Sequence, residues 1–485
     1  MNINPRRNLF RRRDEFNIYR MFFWIILILG GIWLIRSVQS GDVKPLFQPT
    51  ATPTRISSSF ALEGDAQFTS GQLEDIIDDD GNVVSTGAIS AYLQAVKVDP
   101  NNAQVWAQLA RVQTYSSAML VNLEERKARL EEALKSAEKA VELAPDDSYV
   151  HAIYAFTLDW NANPILIDDP RVIQKLLTDA EQEAARALQL DNTNTLALAL
   201  SAEILVDQQK WTQAQQNIEK ALASDSSLMD VHRVNAYVME SLGEYALAIE
   251  SYDRAIAITP NLTFLHLYAG ANYRRLAFDS PNEEVQTQLY EKSLEYFSQA
   301  ARINTQLNVK DPVPYLSIAK TYSQMGQFFI AIRNVQRTIE FQPGKAEFYG
   351  ELGVLYHKNR NYETGILALE CAVRGCSAEQ SCPARGDCGP NDVEAEVVGL
   401  PLNGSTVYYY DIYASELAAL STPKQNYCSE ALDIASVIEA SEFDNDPNIA
   451  ADIVVVRNIC SSVNSPSATT TGEPANVTGT PTPAP

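Results

Sequence analysis

The stretch AIESYDRAIAITP, residues 248–260, decides the fold. Ala248, Tyr252 and Ala255 stand at i, i+4 and i+7, and Pro260 follows five residues later. Those three positions share one face of a helix. Alanine at the first and third lets another helix approach closely, and the ring between them fills the remaining gap. The proline ends the helix and pushes the residue before it towards an extended conformation. The same frame recurs at Ala88-Tyr92-Ala95-Pro100, Ala133-Ala137-Ala140-Pro145 and Ala331-Val335-Thr338-Pro343. Without the proline it recurs at Ala180-Ala184-Ala187 and Ala214-Ile218-Ala221. Frames begin 34 residues apart at Thr195, Met229 and Thr263, and another such pair begins at Pro312 and Ala346. Ahead of each helix lies a second amphipathic stretch, as in DVHRVNAYV, residues 230–238. Neither stretch can bury its apolar stripe alone, so a period of this size marks stacked helix pairs, a solenoid.

The first stretch of several units adds Trp106-x2-Leu109-Ala110, Ala269-Gly270-x2-Tyr273, Ile318-Ala319-x2-Tyr322 and Leu352-Gly353-x2-Tyr356. With these, residues 70–380 resemble the tetratricopeptide repeat family in eight units, and a degenerate unit spans residues 405–443. The resemblance implies an all-α, right-handed helical solenoid that presents a surface and seldom performs chemistry. The units starting at Ala103, Ser148 and Thr263 carry insertions of 11, 13 and 11 residues between their helices. Eleven residues are close to three helical turns, so they lengthen a helix without rotating its buried face. Residues 122–143 read as one such helix, whereas Pro164 and Pro170 give the Ser148 insertion the look of a loop. The first unit has a poor, acidic opening helix over residues 72–80, as suits a terminal cap with a solvated face.

Residues 1–20 are a basic segment with Arg6, Arg7, Arg11, Arg12, Arg13 and Arg20, and the uncharged run MFFWIILILGGIWLI follows at residues 21–35. Arg20 and Arg36 can snorkel and Trp24 and Trp33 suit the interfaces, so residues 21–38 read as a transmembrane signal-anchor. A cleaved signal peptide ending near Val38-Gln39-Ser40 is the alternative. Under either reading the basic flank stays cytoplasmic and the bulk of the chain lies outside, which makes a single-pass cell-membrane protein of the anchored form. Residues 39–59 form a Pro/Thr/Ser-rich linker, residues 60–379 the repeat array, residues 380–404 a cysteine-rich insert, residues 405–460 the degenerate unit with a capping helix, and residues 461–485 a disordered Thr/Pro-rich tail.

All six cysteines lie beyond residue 370, which with an exported location favours disulfides. Cys428 opens the helix over residues 427–440 and Cys460 ends the helix over residues 447–459. An antiparallel hairpin places those ends side by side, so Cys428 and Cys460 are expected to pair and staple a helical cap. Cys371, Cys376, Cys382 and Cys388 allow three connectivities, and the absence of a Cys-x2-Cys pair or a nearby histidine argues against zinc.

No phosphate loop, dinucleotide fingerprint, His-Glu-x-x-His or Gly-x-Ser-x-Gly occurs, so no catalytic, cofactor-binding or metal-binding site is expected. Asp78-Asp79-Asp80-Gly81-Asn82 lacks acidic residues at the opening and closing places of a calcium loop. His151, His232 and His266 each hold the fourth place of a repeat, where packing decides the residue. The chain carries −23, and residues 1–40 contribute 7 basic against 2 acidic residues, so the remainder is near −28 (31 basic, 59 acidic), which argues against a nucleic-acid partner. In tetratricopeptide proteins the first helix of each unit lines the concave groove. By that resemblance Arg233, Tyr237, Phe264, Arg274, Arg275, Lys320, His357 and Lys358 face a locally basic, partly aromatic trough across the fifth to eighth units, with Tyr149, Phe156 and Trp160 nearer the N-terminus. The paired Lys/Asn and Lys/Arg arrangement of the carboxylate-clamp subset is missing. The expectation is a non-catalytic, membrane-tethered scaffold that binds a protein or peptide segment. A structural subunit of an envelope assembly, for secretion, surface-polymer export or cell-wall enzyme recruitment, is the alternative; the oligomeric state is left open.

Overall fold

The computed structural model describes residues 17–40, 55–78, 80–386, 389 and 393–464. Most of the basic segment, the centre of the linker, Cys388 and the tail from residue 465 lie outside them. The chain divides at Ile56 into two units. The first holds one helix, α1 (Ile18–Gln39), whose 22 residues exceed the 15-residue apolar run. At 1.5 Å per residue it is about 33 Å long, enough to cross a hydrocarbon core of about 30 Å. Its apolar residues, from Ile18 to Ile35, stand exposed within its own unit, as those of either an anchor or a signal sequence would.

The second unit is a stack of helix pairs. The first pair is α2 (Ser57–Ser70) with α3 (Ala88–Val98), separated by a small hairpin of β1 (Ile76–Ile77) and β2 (Val83–Ser85) in antiparallel register. This corrects the reading of the first unit: the described residues of 72–80 form no helix, and the opening helix starts inside the stretch assigned to the linker. Phe60, Gly64 and Phe68 carry the same i, i+4 stripe as the other units, and Gly64 lies so close to the Tyr92 ring that a Cβ would meet its Cζ at 2.7 Å.

The second and third pairs are α4 (Ala103–Ser117) with α5 (Leu123–Leu143) and α6 (Ser148–Asn161) with α7 (Pro170–Leu190). The fourth and fifth are α8 (Thr195–Asp207) with α9 (Trp211–Ser224) and α10 (Met229–Ser241) with α11 (Tyr245–Ile258). The sixth, seventh and eighth are α12 (Thr263–Asp279) with α13 (Glu283–Gln306), α14 (Val313–Gln324) with α15 (Phe328–Phe341), and α16 (Ala346–Lys358) with α17 (Tyr362–Val373). Two of the insertions are helix: α5 and α13 reach 21 and 24 residues, against 14 for α9. The third is divided. Residues 162–169 are loop, but Pro170 sits at the start of α7, where its missing N–H costs nothing, and α7 takes up the rest in 21 residues.

Small residues behave as their spacing demands. Ala214, Ile218 and Ala221, like Ala248 and Ala255, are fully buried against neighbouring helices. Gly270 of α12 accepts the Phe297 ring of α13, where a Cβ would come within 2.7 Å of the ring edge. His232 and His266 each place Nε2 2.8 Å from the carbonyl six residues earlier, Ser226 and Pro260, and His151 does the same with Pro145. They close the turn into each first helix.

Beyond the eighth pair, the cysteine-rich insert packs back on the array. Its β4 (Val397–Val398) pairs with β3 (Gly375–Cys376), which precedes it, and the short α18 (Ala378–Ala384) leads into it. Arg385 is buried there, donating to Tyr349 Oη at 3.2 Å. The degenerate unit is α19 (Val407–Leu420) with α20 (Cys428–Glu439), and α21 (Pro447–Asn464) covers its end. The sulfurs of Cys428 and Cys460 stand at disulfide distance with Cα atoms 5.2 Å apart, and those of Cys371 and Cys376 with Cα atoms 4.7 Å apart. Cys382 is disulfide-bonded as well.

Candidate binding cavity and cleft on the inner face

The first helices of the units supply the inner face, and in the N-terminal half that face closes on itself. Arg111 and Tyr115 of α4 reach Asp230 of α10: Arg111 Nε donates to Asp230 Oδ1 at 3.1 Å and Tyr115 Oη donates to the same oxygen at 2.5 Å. Tyr115 also stacks on Phe264 of α12 with ring centroids 5.8 Å apart. Asn261 donates to the Ser70 carbonyl at 2.8 Å, joining the fifth-to-sixth connection to the end of α2. The first turn of the helix stack thereby fills its own interior.

At the centre of this closure is Arg233. Its Nη1 donates to Glu203 Oε1 at 2.6 Å, Nη2 bonds the other oxygen, and Nε donates to Tyr115 Oη at 3.1 Å. The guanidinium lies 5.3, 5.6 and 5.8 Å from the ring centres of Tyr115, Phe156 and Trp160. Both partners of the pair are nearly sealed from solvent, so removing either leaves an unpaired buried charge, at a cost of about 3–5 kcal/mol. Burial works to raise the Asp230 carboxyl, but the adjoining Arg111 and the Tyr115 hydroxyl outweigh it and hold the group below its ordinary value.

Beside this node lies a cavity of about 630 Å³. Its walls are aromatic, with Trp160, Tyr237, Tyr252, Phe264 and Tyr268, and the loop residues Asn163, Pro164 and Ile165 form its rim. Its charges are Asp159, Glu203, Asp207 and Glu240 against Arg126 and Arg233. Trp160 Nε1 donates to Glu203 at 3.1 Å, Tyr237 Oη to Asp207 at 2.5 Å, and Tyr252 Oη to Glu240 at 3.0 Å. Asp159 is 4% exposed, and the one polar group that bonds its carboxyl is the carboxyl of Asp207. Burial, then the neighbouring Asp207 and Glu203 carboxylates, push Asp159 well above the usual carboxylate range. Burial raises Asp207 to about 6 despite the Tyr237 hydroxyl that favours its ionised form.

A basic cleft follows along α12, α14 and α16. Arg274, Arg275 and Phe278 line its first part, and Arg274, Lys320, Lys358 and Glu351 its second. Arg274 donates to the Ser317 carbonyl at 3.2 Å, stands over the Phe297 ring, and is lowered from its ordinary pKa by burial. Arg275 pairs with Asp279 at 3.1 Å, Lys320 with Glu351 at 3.2 Å, and Lys358 donates to Ser323 at 3.4 Å. His357 turns away, 3.1 Å from Glu416 of α19.

The eight inner-face residues therefore fall into two chemically opposite stations. Arg233, Tyr237 and Phe264 border the acidic cavity; Arg274, Arg275, Lys320 and Lys358 border the basic cleft; His357 joins neither. The fifth unit is not basic, because Glu203 neutralises Arg233. Sequence reasoning missed Asp159, Glu203, Asp207 and Glu240. The signal was present for Glu203, which lies 34 residues before Tyr237 and so shares its repeat position. Among the described residues no three His, Cys, Asp or Glu side chains are grouped so that they could hold a metal ion.

Family models for the tetratricopeptide repeat match residues 200–262 and 116–147. The chain contains tetratricopeptide repeats. No curated protein matches it. Among solved structures it is similar to TTC0263, a thermophilic TPR protein of Thermus thermophilus, with 14% identity over 44% of this chain and 98% of that one, TM-score 0.34. It is similar also to YrrB, a TPR protein with an unusual peptide-binding site, with 19% identity over 43% of this chain and 92% of that one, TM-score 0.30. A monomeric IFIT1 mutant with Gppp-AAAA is similar at 15% identity over 84% and 90% of the two chains, TM-score 0.47. At these identities the likeness is one of fold.

Proposed function

We propose that this chain is a membrane-tethered scaffold that holds a protein or peptide segment on the inner face of its repeat array, outside the cytoplasmic membrane and without turnover. The observation that carries the reading is the cleft formed by Arg274, Arg275, Lys320 and Lys358 on three successive first helices of a chain that is acidic overall. Like charges gathered on an acidic surface favour an acidic or carboxylate-bearing extended segment, for which arginine offers planar, two-pronged hydrogen bonding. The tether is α1, with arginines before it on the side that stays in the cytoplasm. The paired cysteines of the last units fit an oxidising location.

The test is capture in intact cells. A photo-crosslinking side chain placed at Ser323, at the floor of the cleft, is expected to trap one partner reproducibly. Arg274→Glu with Arg275→Glu should abolish the adduct while the thermal melt stays within a few degrees. Unchanged capture by that double variant removes the cleft from the account.

A further inference from the structure

The inner-face cavity has a feature that scaffolding of an acidic segment does not use. Once Arg233 and Glu203 have paired, three carboxyl groups, Asp159, Asp207 and Glu240, face a single guanidinium, Arg126. Two of the three are occupied: Asp207 accepts from Tyr237, and Glu240 from Tyr252 and from Asn272 at 3.0 Å. Asp159 has only another carboxyl beside it. Its side chain is on the wall of a cavity of about 630 Å³, is 4% exposed, and receives no donor from any other kind of group, its one polar partner being Asp207 through a shared proton. Without that proton two carboxylates would stand buried side by side with no cation between them. The aromatic rings of Trp160, Tyr237, Tyr252, Phe264 and Tyr268 line the same space, and ring faces attract cations within about 6 Å.

We infer that this cavity is a binding site for an alkylammonium or guanidinium group, which donates to Asp159 and lies against the surrounding rings. Two sources carry that chemistry, a lysine or arginine side chain of a bound chain and a free amine, and the cavity volume admits either. The proposal goes beyond the scaffold reading and uses a different part of the inner face, so each stands or falls alone.

Protonation supports it. Asp159 is faced by Asp207 and Glu203 of α8, Arg233, Tyr237 and Glu240 of α10, and Arg126 of α5. Burial and the carboxylate neighbours keep a proton on the Asp159–Asp207 pair when the cavity holds no cation. An entering cation takes the place of that proton. Binding therefore releases protons, and it weakens as the pH falls below about 6 and the pair gains protons.

The experiment is calorimetric titration of the full chain in detergent at pH 7.5, with N-acetyl-lysine amide, N-acetyl-arginine amide, putrescine, and the neutral isostere N-acetyl-norleucine amide. The cationic probes are expected to bind at least tenfold more tightly than the norleucine compound, with a heat that differs between phosphate and Tris as proton release requires. Asp159→Asn should lower the cationic affinity at least tenfold and abolish the buffer dependence. Tighter binding of the capped amino acids supports a site for a partner's side chain, and tighter binding of putrescine a site for free amines. Equal binding of the norleucine compound, absence of binding by all cations, or wild-type affinity in Asp159→Asn overturns the proposal. Should that variant misfold, the unaltered chain decides alone: equal binding of the cationic and the norleucine compounds overturns it.

Discussion

Asp411 shows how a single side chain couples the C-terminal cap to pH. It stands on α19, 6% exposed, with Oδ1 buried and unbonded. Burial, then the Asp452 and Asp446 carboxylates, raise it to about 7, with His357 acting in the opposite direction. In the unfolded chain an aspartate titrates near 3.9, roughly. Between those two values the folded cap keeps a proton that the unfolded chain has lost. Unfolding therefore becomes easier as pH climbs through that window, and the cap is most stable on its acid side. Asp411→Asn removes the penalty: its Tm should exceed the parent's at pH 8, match it near pH 4, and vary less between, as followed by circular dichroism. A parallel pair of Tm–pH curves would show that Asp411 does not set the slope. Nothing local in the sequence announces this residue. Asp446 and Asp452 lie in another helix and its approach, and only the packing of α21 onto α19 brings their charges to it.

At the level of the element, the helix pairs were legible because their rules are local. The i, i+4, i+7 spacing of small residues marks α3, α5, α7, α9, α11 and α15, and the 34-residue period marks α8, α10, α12, α14 and α16. The reading failed at α2, where Gly64 takes the place held by Ala110, Ala155, Ala202 and Ala236 in other first helices, and where an acidic run nearby drew attention to a hairpin. The period reaches further, to the turns within units. Gly243 and Gly326 adopt φ of 81° and 73°, while Gln209 and Arg360, one repeat away from each, adopt 60° and 58°. A left-handed backbone costs a residue with a Cβ about 1–2 kcal/mol, of which glycine returns about 0.5–1 kcal/mol by its freedom in the unfolded chain. Gln209→Gly and Arg360→Gly are each expected to stabilise the protein by about 0.5–1 kcal/mol, and Gly243→Ala to destabilise it by a similar amount. Urea midpoints at unchanged slope would measure this. A loss of stability in both glycine variants would mean that those side chains hold the turns by contacts stronger than the backbone strain.

The repeat array as a whole departs from the behaviour its units promise. In an open solenoid each repeat meets only its neighbours, and stability is close to a sum of local terms. Here Arg111 and Tyr115 bond to Asp230 across 119 and 115 residues, and Asn308 donates to the Ile77 carbonyl across 231. Such closure was illegible, because it follows from the accumulated rotation of five units, and Asp230 reads in the sequence as an ordinary acid at a helix start. Its consequence is cooperativity between units that are distant along the chain. Asp230→Ala strands Arg111 in a largely buried site, which should cost about 3–5 kcal/mol. The distribution of that loss distinguishes the two architectures. With the ring closed, amide exchange should quicken together over residues 57–117 and 229–279, while α14 to α17 keep their protection, since no bond of theirs depends on Asp230. With the units acting as a simple row, the acceleration would centre on α10 and fade over the adjoining pairs, leaving α2 and α3 at their original rates.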